Sequence, residues 1–418
     1  MSRKEISPWR WTPSLYFAEG LPYVVVITVS IILFKRLGLS NTDVAFYTSW
    51  LNLPWVIKPF WSPFVDLLKT KRWWIVSMQL MLGAGVAGVA FAISSPFYVQ
   101  ASLAFFWLIA FSSATHDIAA DGFYLLGLNP AQQSFFIGIR TTCYRLAMIS
   151  GQGALIVLAG ALEVFTGNVR YAWCIAFFVL AGIFVLLFVY HRVALPYPER
   201  DKPSNVCKTD MLREFCGVFI AFFRKEGIGI ALAFMLFYRL SESLLVKMAV
   251  PFLLDSREAG GMGMTTGQVG LAYGTVGAIA LIAGGILGGV TVSRYGLKRW
   301  LWPMALSTTL PNIVYVYLSC SLTAHLVVVH AAVAVEQFGF GFGITAYMLY
   351  LMHFSEGKYK TAHYAIATGV MALSIMLPGM IAGWLQELLG YKHFFIWVMI
   401  CIIPACVVIP FVKLRLNS

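Results

Sequence analysis

Ten ionisable side chains stand inside long apolar stretches of this 418-residue sequence, and their charges balance: Glu19, Asp117, Asp121, Glu242 and Glu336 against Lys58, Arg140, Arg145, Arg239 and Lys247. Asp117 and Asp121, in SATHDIAADGFY, are four apart and share a helical face. Two carboxylates so close in a low dielectric resist double ionisation, so one should hold a proton near neutral pH, which suits proton coupling. The competing reading is a structural acid neutralised by Arg140 or Arg145. Arg140 and Tyr144 share a face, with Arg145 and Gln152 nearby. A guanidinium offers a planar, permanent fork for a carboxylate or phosphate of a substrate, and serves an inter-helix ion pair equally well. In FYRLSESLLVKMAVPF, Arg239 and Glu242 are placed to neutralise each other, while Tyr238 and Glu242 pair an aromatic with an acid, as a sugar or peptide amine needs. Glu19, flanked by Tyr16 and Tyr23, repeats that combination; Glu336 and Gln337 add polarity that either faces solute or braces an interface. These fourteen positions are the candidate proton-coupling (Asp117, Asp121, Glu19, Glu242) and substrate-binding sites (Tyr16, Tyr23, Arg140, Tyr144, Arg145, Gln152, Tyr238, Arg239, Glu336, Gln337).

The elements that carry them are membrane spans. The chain is 60% hydrophobic and 11% charged, with mean hydropathy +0.79, whereas a soluble protein carries about 25% charged residues. That much apolar surface excludes a soluble enzyme, a secreted disulfide scaffold and a disordered chain. Punctuation allows twelve spans of the necessary length, near 13–34, 43–67, 73–95, 99–126, 133–162, 170–191, 227–254, 266–293, 300–320, 324–354, 362–389 and 393–413. Each mid-bilayer charge costs about 2.5–3.5 kcal/mol, so such residues face a wet cavity and find partners. Spans 1, 2, 4, 5, 7 and 10 hold the ten; spans 3, 6, 9 and 12 hold none. The first span is too long for a cleaved signal peptide and lacks its cleavage site, so it is expected to stay.

Bases set the orientation. They gather before span 1 (Arg3, Lys4, Arg10), after span 2 (Lys69, Lys71, Arg72), between spans 6 and 7 (Arg192, Arg200, Lys202, Lys208, Arg213, Arg224, Lys225), and after spans 8, 10 and 12 (Arg294, Lys298, Arg299; Lys358, Lys360; Lys413, Arg415). The opposite side has only Lys35, Arg36, Arg170, Arg257 and Lys392. Both termini are therefore expected in the cytoplasm, and the net charge of +12 reads as basic loops at a leaflet, with no nucleic acid as partner. The polar stretch 192–226 divides the chain into a half at 1–191 and a half at 227–418, and DLLKTKRWW at 66–74 is echoed by SRYGLKRWL at 293–301. Two six-helix halves around a cytoplasmic linker make an all-α integral membrane protein that resembles the major facilitator architecture, and that resemblance implies that spans 1, 4, 7 and 10 line the centre.

Several chemistries are excluded. GAGVAG at 83–88 sits inside an apolar span with no strand before it, so it is no dinucleotide loop. No Walker A, H-E-x-x-H or G-x-S-x-G run occurs, and the cysteines have no zinc or disulfide spacing. A catalytic role is not expected, nor a metal; His116 beside Asp117 diverges from it around the helix and is expected to pack. The Gly284, Gly285, Gly288 and Gly289 stripe is expected to bring helices close.

AEGLPY at 18–23, KPFWSPFVD at 58–66, SATHDIAADGFY at 113–124 and CYRLAMISGQG at 143–153 resemble the muropeptide permease (AmpG) family. So do FYRLSESLLVKMAVPFLL at 237–254 and EQFGFGFGITAYMLYLMHFSEGKYKTAHYAIATG at 336–369. The resemblance implies a major facilitator fold and proton-coupled import of N-acetylglucosaminyl-anhydro-N-acetylmuramyl peptides across the bacterial inner membrane. It also implies a place in cell-wall recycling, with protons as coupling ion; no other cofactor is expected, and the chain is expected to be a monomer. It maps the family's helix 4 acids onto Asp117 and Asp121, and its tyrosine–arginine pair onto Tyr144 and Arg145. This chain departs from the pattern where Phe123 and Tyr124 follow the second acid in place of a base, where MALSIMLPG lacks an arginine, and where it stops at Ser418. D-I-A-A-D-G also resembles the related acetyl-CoA transporters, the alternative cargo beside another sugar or peptide. A channel would not need balanced charges, and a membrane acyltransferase would need a nucleophile–base pair that is not evident.

Overall fold

The computed structural model describes residues 6–199, 201–202, 208–323 and 325–412, and among them every side chain except those of Asp66 and 208–215. Of the orientation-setting bases, Arg3, Lys4, Arg200, Lys413 and Arg415, and the side chains of Lys208 and Arg213, lie outside the described residues. The described residues form helices and no strands. Nine of these helices are long and apolar enough to cross a membrane. They are α1 (Pro8–Arg36), α3 (Lys71–Ile93), α4 (Tyr98–Gly127), α5 (Pro130–Thr166), α6 (Val169–Ala194), α7 (Ile228–Leu254), α8 (Thr266–Tyr295), α10 (Leu326–Phe354) and the long stretch Lys360–Phe411. The last of these is not one straight helix. Gly390 has φ 72° and ψ 161°, so α11 over 360–389 turns there into α12 over 391–411.

Two more expected spans are broken by proline. In α2, Asn41–Trp50 gives way to Leu53–Leu68 because Pro54 has no N–H to continue the ladder. The Asn52 side chain donates instead to the carbonyls of Ser49 (3.1 Å) and Thr48 (3.4 Å). In α9, Leu297–Ser307 passes through a short 3-10 turn at Leu310–Asn312, containing Pro311, into Ile313–Ser321. The linker contributes a further helix, Lys208–Phe223.

The chain forms two compact units, Met1–Leu37 with Phe60–Val206 and Gly38–Pro59 with Cys207–Ser418. In the first, α1 packs on α4 and α5, and α3 packs between α4 and α6. In the second, α8 and α9 flank α10, and Asn41–Trp50 lies along α11. Lipid is as apolar as leucine, so close backbone approach has to hold such helices together. GAGVAG serves that end: a Cβ on Gly88 would lie 2.3 Å from the Phe105 ring, and one on Gly85 2.8 Å from Ile109. On α8, a Cβ on Gly284 would lie 2.1 Å from the Phe338 carbonyl of α10, while Gly289 of the same stripe touches nothing.

Candidate substrate and coupling site

Within the first unit, α1, α4 and α5 enclose a cavity of about 400 Å³. α4 brings Asp117; α1 contributes Tyr16 and Glu19, one turn apart; α5 contributes Arg140, Tyr144 and Arg145. Pro22 and a π-helical turn at Val25–Val29 follow the α1 residues, and a second π-helical turn, Ser150–Leu155, follows those of α5. These widened turns meet: Gln152 Nε2 donates to Thr28 Oγ1 at 3.5 Å, and a Cβ on Gly151 would strike Val24. π-turns are inserted residues that re-aim the side chains beside them, often at functional sites.

The acids converge. One carboxylate oxygen from each of Glu19, Asp117 and Asp121 lies within 4.8 Å of the others. Arg140 answers them, its Nη2 2.6 Å from Asp121 Oδ1. The same guanidinium lies 4.4 Å from the centroid of the Tyr16 ring and 5.4 Å from that of Tyr124, so two aromatic faces hold it in addition to the carboxylate. Tyr16 Oη donates to Asp121 at 3.5 Å. Glu19 is buried, and one of its carboxylate oxygens has no hydrogen-bond partner among the described residues. Arg145 faces the cavity half-buried, with no ion pair or hydrogen bond among the described residues. Tyr23 is half-buried. Chemically, three carboxylates against one paired guanidinium can take up a proton, and a second guanidinium remains to meet an anion.

The second-unit candidates form two buried groups. Arg239 and Glu242 pair at 2.8 Å over one helical turn of α7. Glu336 of α10 accepts both from Gln337 Nε2 (3.0 and 3.1 Å) and from Tyr273 Oη (3.4 Å), and the Tyr273 hydroxyl lies 2.6 Å from that of Tyr315. Tyr238 takes a separate place: it is buried in an aromatic cluster with Phe234 and Tyr347 and donates to the Gly343 carbonyl at 2.8 Å.

Some participants escape a reading by sequence. Thr141 and Met148 line the cavity, and Tyr124 stacks on Arg140. All three had a signal: Tyr124 lies three residues beyond Asp121, and Thr141 and Met148 lie three or four residues from Tyr144 and Arg145, each pair on one face. Tyr273 of α8 is brought to Glu336 and Tyr315 of α9 to Tyr273, which no spacing foretells. His116 is buried behind the site and joins Gln79, His191 and Ser14 in one hydrogen-bonded row of 3.0, 3.0 and 2.9 Å that ties α4, α3, α6 and α1.

This geometry coincides with a family assignment: residues 14–383 match the Major Facilitator Superfamily. The chain belongs to that superfamily. It is therefore a multi-pass membrane transporter and not an enzyme. Among curated relatives, a protein of Rickettsia conorii named putative transporter AmpG 4 is 26% identical, over 96% of each chain. The anhydromuropeptide permease of Escherichia coli K12 is 24% identical, over 94% of this chain and 77% of its own. Among solved structures, a mutant form of the nucleoside transporter NupG superposes with a TM-score of 0.71 at 14% identity, over 96% of this chain and 99% of that one. A D-xylose-proton symporter gives 0.68 at 11%, over 96% and 95%. These last two likenesses are of fold.

Proposed function

We propose that this chain imports anhydro-muropeptides across the bacterial inner membrane together with protons, as a monomer with both termini in the cytoplasm and no cofactor beyond the coupling ion. One observation carries the reading: the Arg140–Asp121 ion pair stands inside a cluster of three carboxylates on the wall of a cavity. The names of the relatives supply the cargo, and the two motifs of α4 and α5 that resemble the family both reach this cavity.

The cycle follows from charge. A proton taken by one of Glu19, Asp117 or Asp121 removes one negative charge and loosens the hold on Arg140. Arg140 and Arg145, which has no ion pair among the described residues, then meet the acidic groups of the solute, while Tyr144, and Tyr16 once Arg140 leaves its ring, offer faces to sugar rings. Proton and solute together favour one state over the other, and that differential affinity is all that symport requires. In the second unit, Glu242 is held by Arg239 and would join the coupling only by leaving it.

The test is uptake of labelled anhydro-muropeptide into proteoliposomes under an imposed pH gradient, beside acetyl-CoA. Muropeptide should accumulate when the outside is acidic, and faster as the outside pH falls. Gradient-insensitive uptake rejects symport, and accumulation of acetyl-CoA alone rejects the cargo.

A further inference from the structure

We infer that Lys247 of α7 recognises a carboxylate of the transported solute and is masked, in the state seen here, by the first helix of α2. The inference rests on the function proposed above and adds a residue to it. Lys247 is 1% exposed, in the apolar body of a membrane helix, and no carboxylate pairs with it among the described residues. Its ammonium has three donors and, among the described residues, one partner, the hydroxyl of Thr48 at 3.1 Å. The neighbouring Ser49 hydroxyl is buried and has no partner at all among the described residues. A base kept at such a depth is costly and finds its use in solute or ion pathways.

The room around it is made to measure. On α11, a Cβ at Gly379 would lie 2.5 Å from Ser49 Oγ and 3.2 Å from Lys247 Cε, so the missing side chain leaves space for the lysine stem under its cover. The cover itself is fastened at one end by breakable polar contacts. Asn41 Nδ2 lies within hydrogen-bond distance of Gln386 Oε1 (2.6 Å), Tyr391 Oη (2.8 Å) and Asp255 Oδ2 (3.2 Å), which share its two N–H groups. Thr42 donates from its N–H and its hydroxyl to the exposed Glu387 (3.0 and 2.6 Å). Withdrawal of Asn41–Trp50 from α11 removes Thr48 and Ser49 together and leaves an ammonium open to an anion. The cargo class is thus a solute bearing a free carboxylate, such as the terminus of a peptide stem.

The experiment uses the full chain in proteoliposomes and two cargoes, an anhydro-muropeptide with a free terminal carboxylate and the same compound as carboxamide. The wild type should prefer the acid. Lys247→Met should lower kcat/KM for the acid about tenfold or more and leave the amide unchanged, and Lys247→Arg should keep most of the preference. Equal loss on both cargoes, or no loss on either, overturns the assignment. A second measurement is independent of cargo: acetylation by a membrane-impermeant amine reagent, read at Lys247 by mass spectrometry. Lys247 should resist in the wild type and react several-fold faster in Asn41→Ala, from the face opposite the basic loops. If the wild type carries neither compound, the proposed function falls, and an unreactive Lys247 in Asn41→Ala still overturns the masking.

Discussion

Arg140 Nη2 lies 2.6 Å from Asp121 Oδ1, and the guanidinium that makes this contact rests over the ring of Tyr16, whose hydroxyl reaches the same carboxylate oxygen. Charge, ring and hydroxyl thus define a single position for Arg140. The acid cannot change its charge without changing the arginine's surroundings. Asp121→Asn keeps the shape and removes the charge. It should abolish accumulation against a gradient while leaving counterflow exchange of solute. Normal accumulation ratios in proteoliposomes of this variant would remove Asp121 from the coupling.

Arg145 differs from Arg140 in having no carboxylate to hold it among the described residues. Arg145→Ala should therefore cost the fold little and the solute much. A rise in KM of about tenfold or more, equivalent to about 1.4 kcal/mol, is expected. Arg145→Lys should recover part of it, since a point charge replaces a fork. Unchanged KM in Arg145→Ala would exclude solute contact.

Arg239 and Glu242 bury each other, so neither can be removed cheaply alone. Arg239→Met strands a carboxylate and should destabilise by about 3–5 kcal/mol, whereas Arg239→Met with Glu242→Leu should regain most of the loss. Thermal unfolding of the purified proteins in one detergent decides this; additive losses would show that the pair is not a unit.

The α8–α10 contact offers a matched comparison. Gly284 has the Phe338 carbonyl 2.1 Å from where a Cβ would stand; Gly289 has open space. Gly284→Ala should lower thermal stability by about 1–3 kcal/mol through overpacking, and Gly289→Ala should not. Equal melting temperatures would show that the helices part at no cost.

The buried row from His116 through Gln79 and His191 to Ser14 joins four helices of the first unit. Gln79→Leu leaves two buried imidazoles short of a partner. A loss of about 1–3 kcal/mol per stranded group is expected, with the KM for solute unchanged if the row only braces the site. A changed KM at unchanged stability would give it a part in binding.

Some of this was written in the chain itself. Apolar length and scarce charge dictate a membrane protein, because no water-soluble surface can be made from them. Helical periodicity puts Asp117 with Asp121, and Arg239 with Glu242, since three- and four-residue spacings are neighbours on any helix. Other relations span distances that periodicity does not reach. Glu19 joins the α4 acids only because α1 packs on α4. Arg140, with several acids to choose from by sequence, pairs with Asp121 because α5 sets it there between two tyrosine rings. Glu336 meets the Tyr273 hydroxyl of α8, which in turn pairs with Tyr315 of α9, and Lys247 is covered from α2 and given room by a glycine of α11. A helix determines which of its own residues face together; which faces then meet is settled by close packing between helices, where a single missing Cβ decides how near two backbones can come.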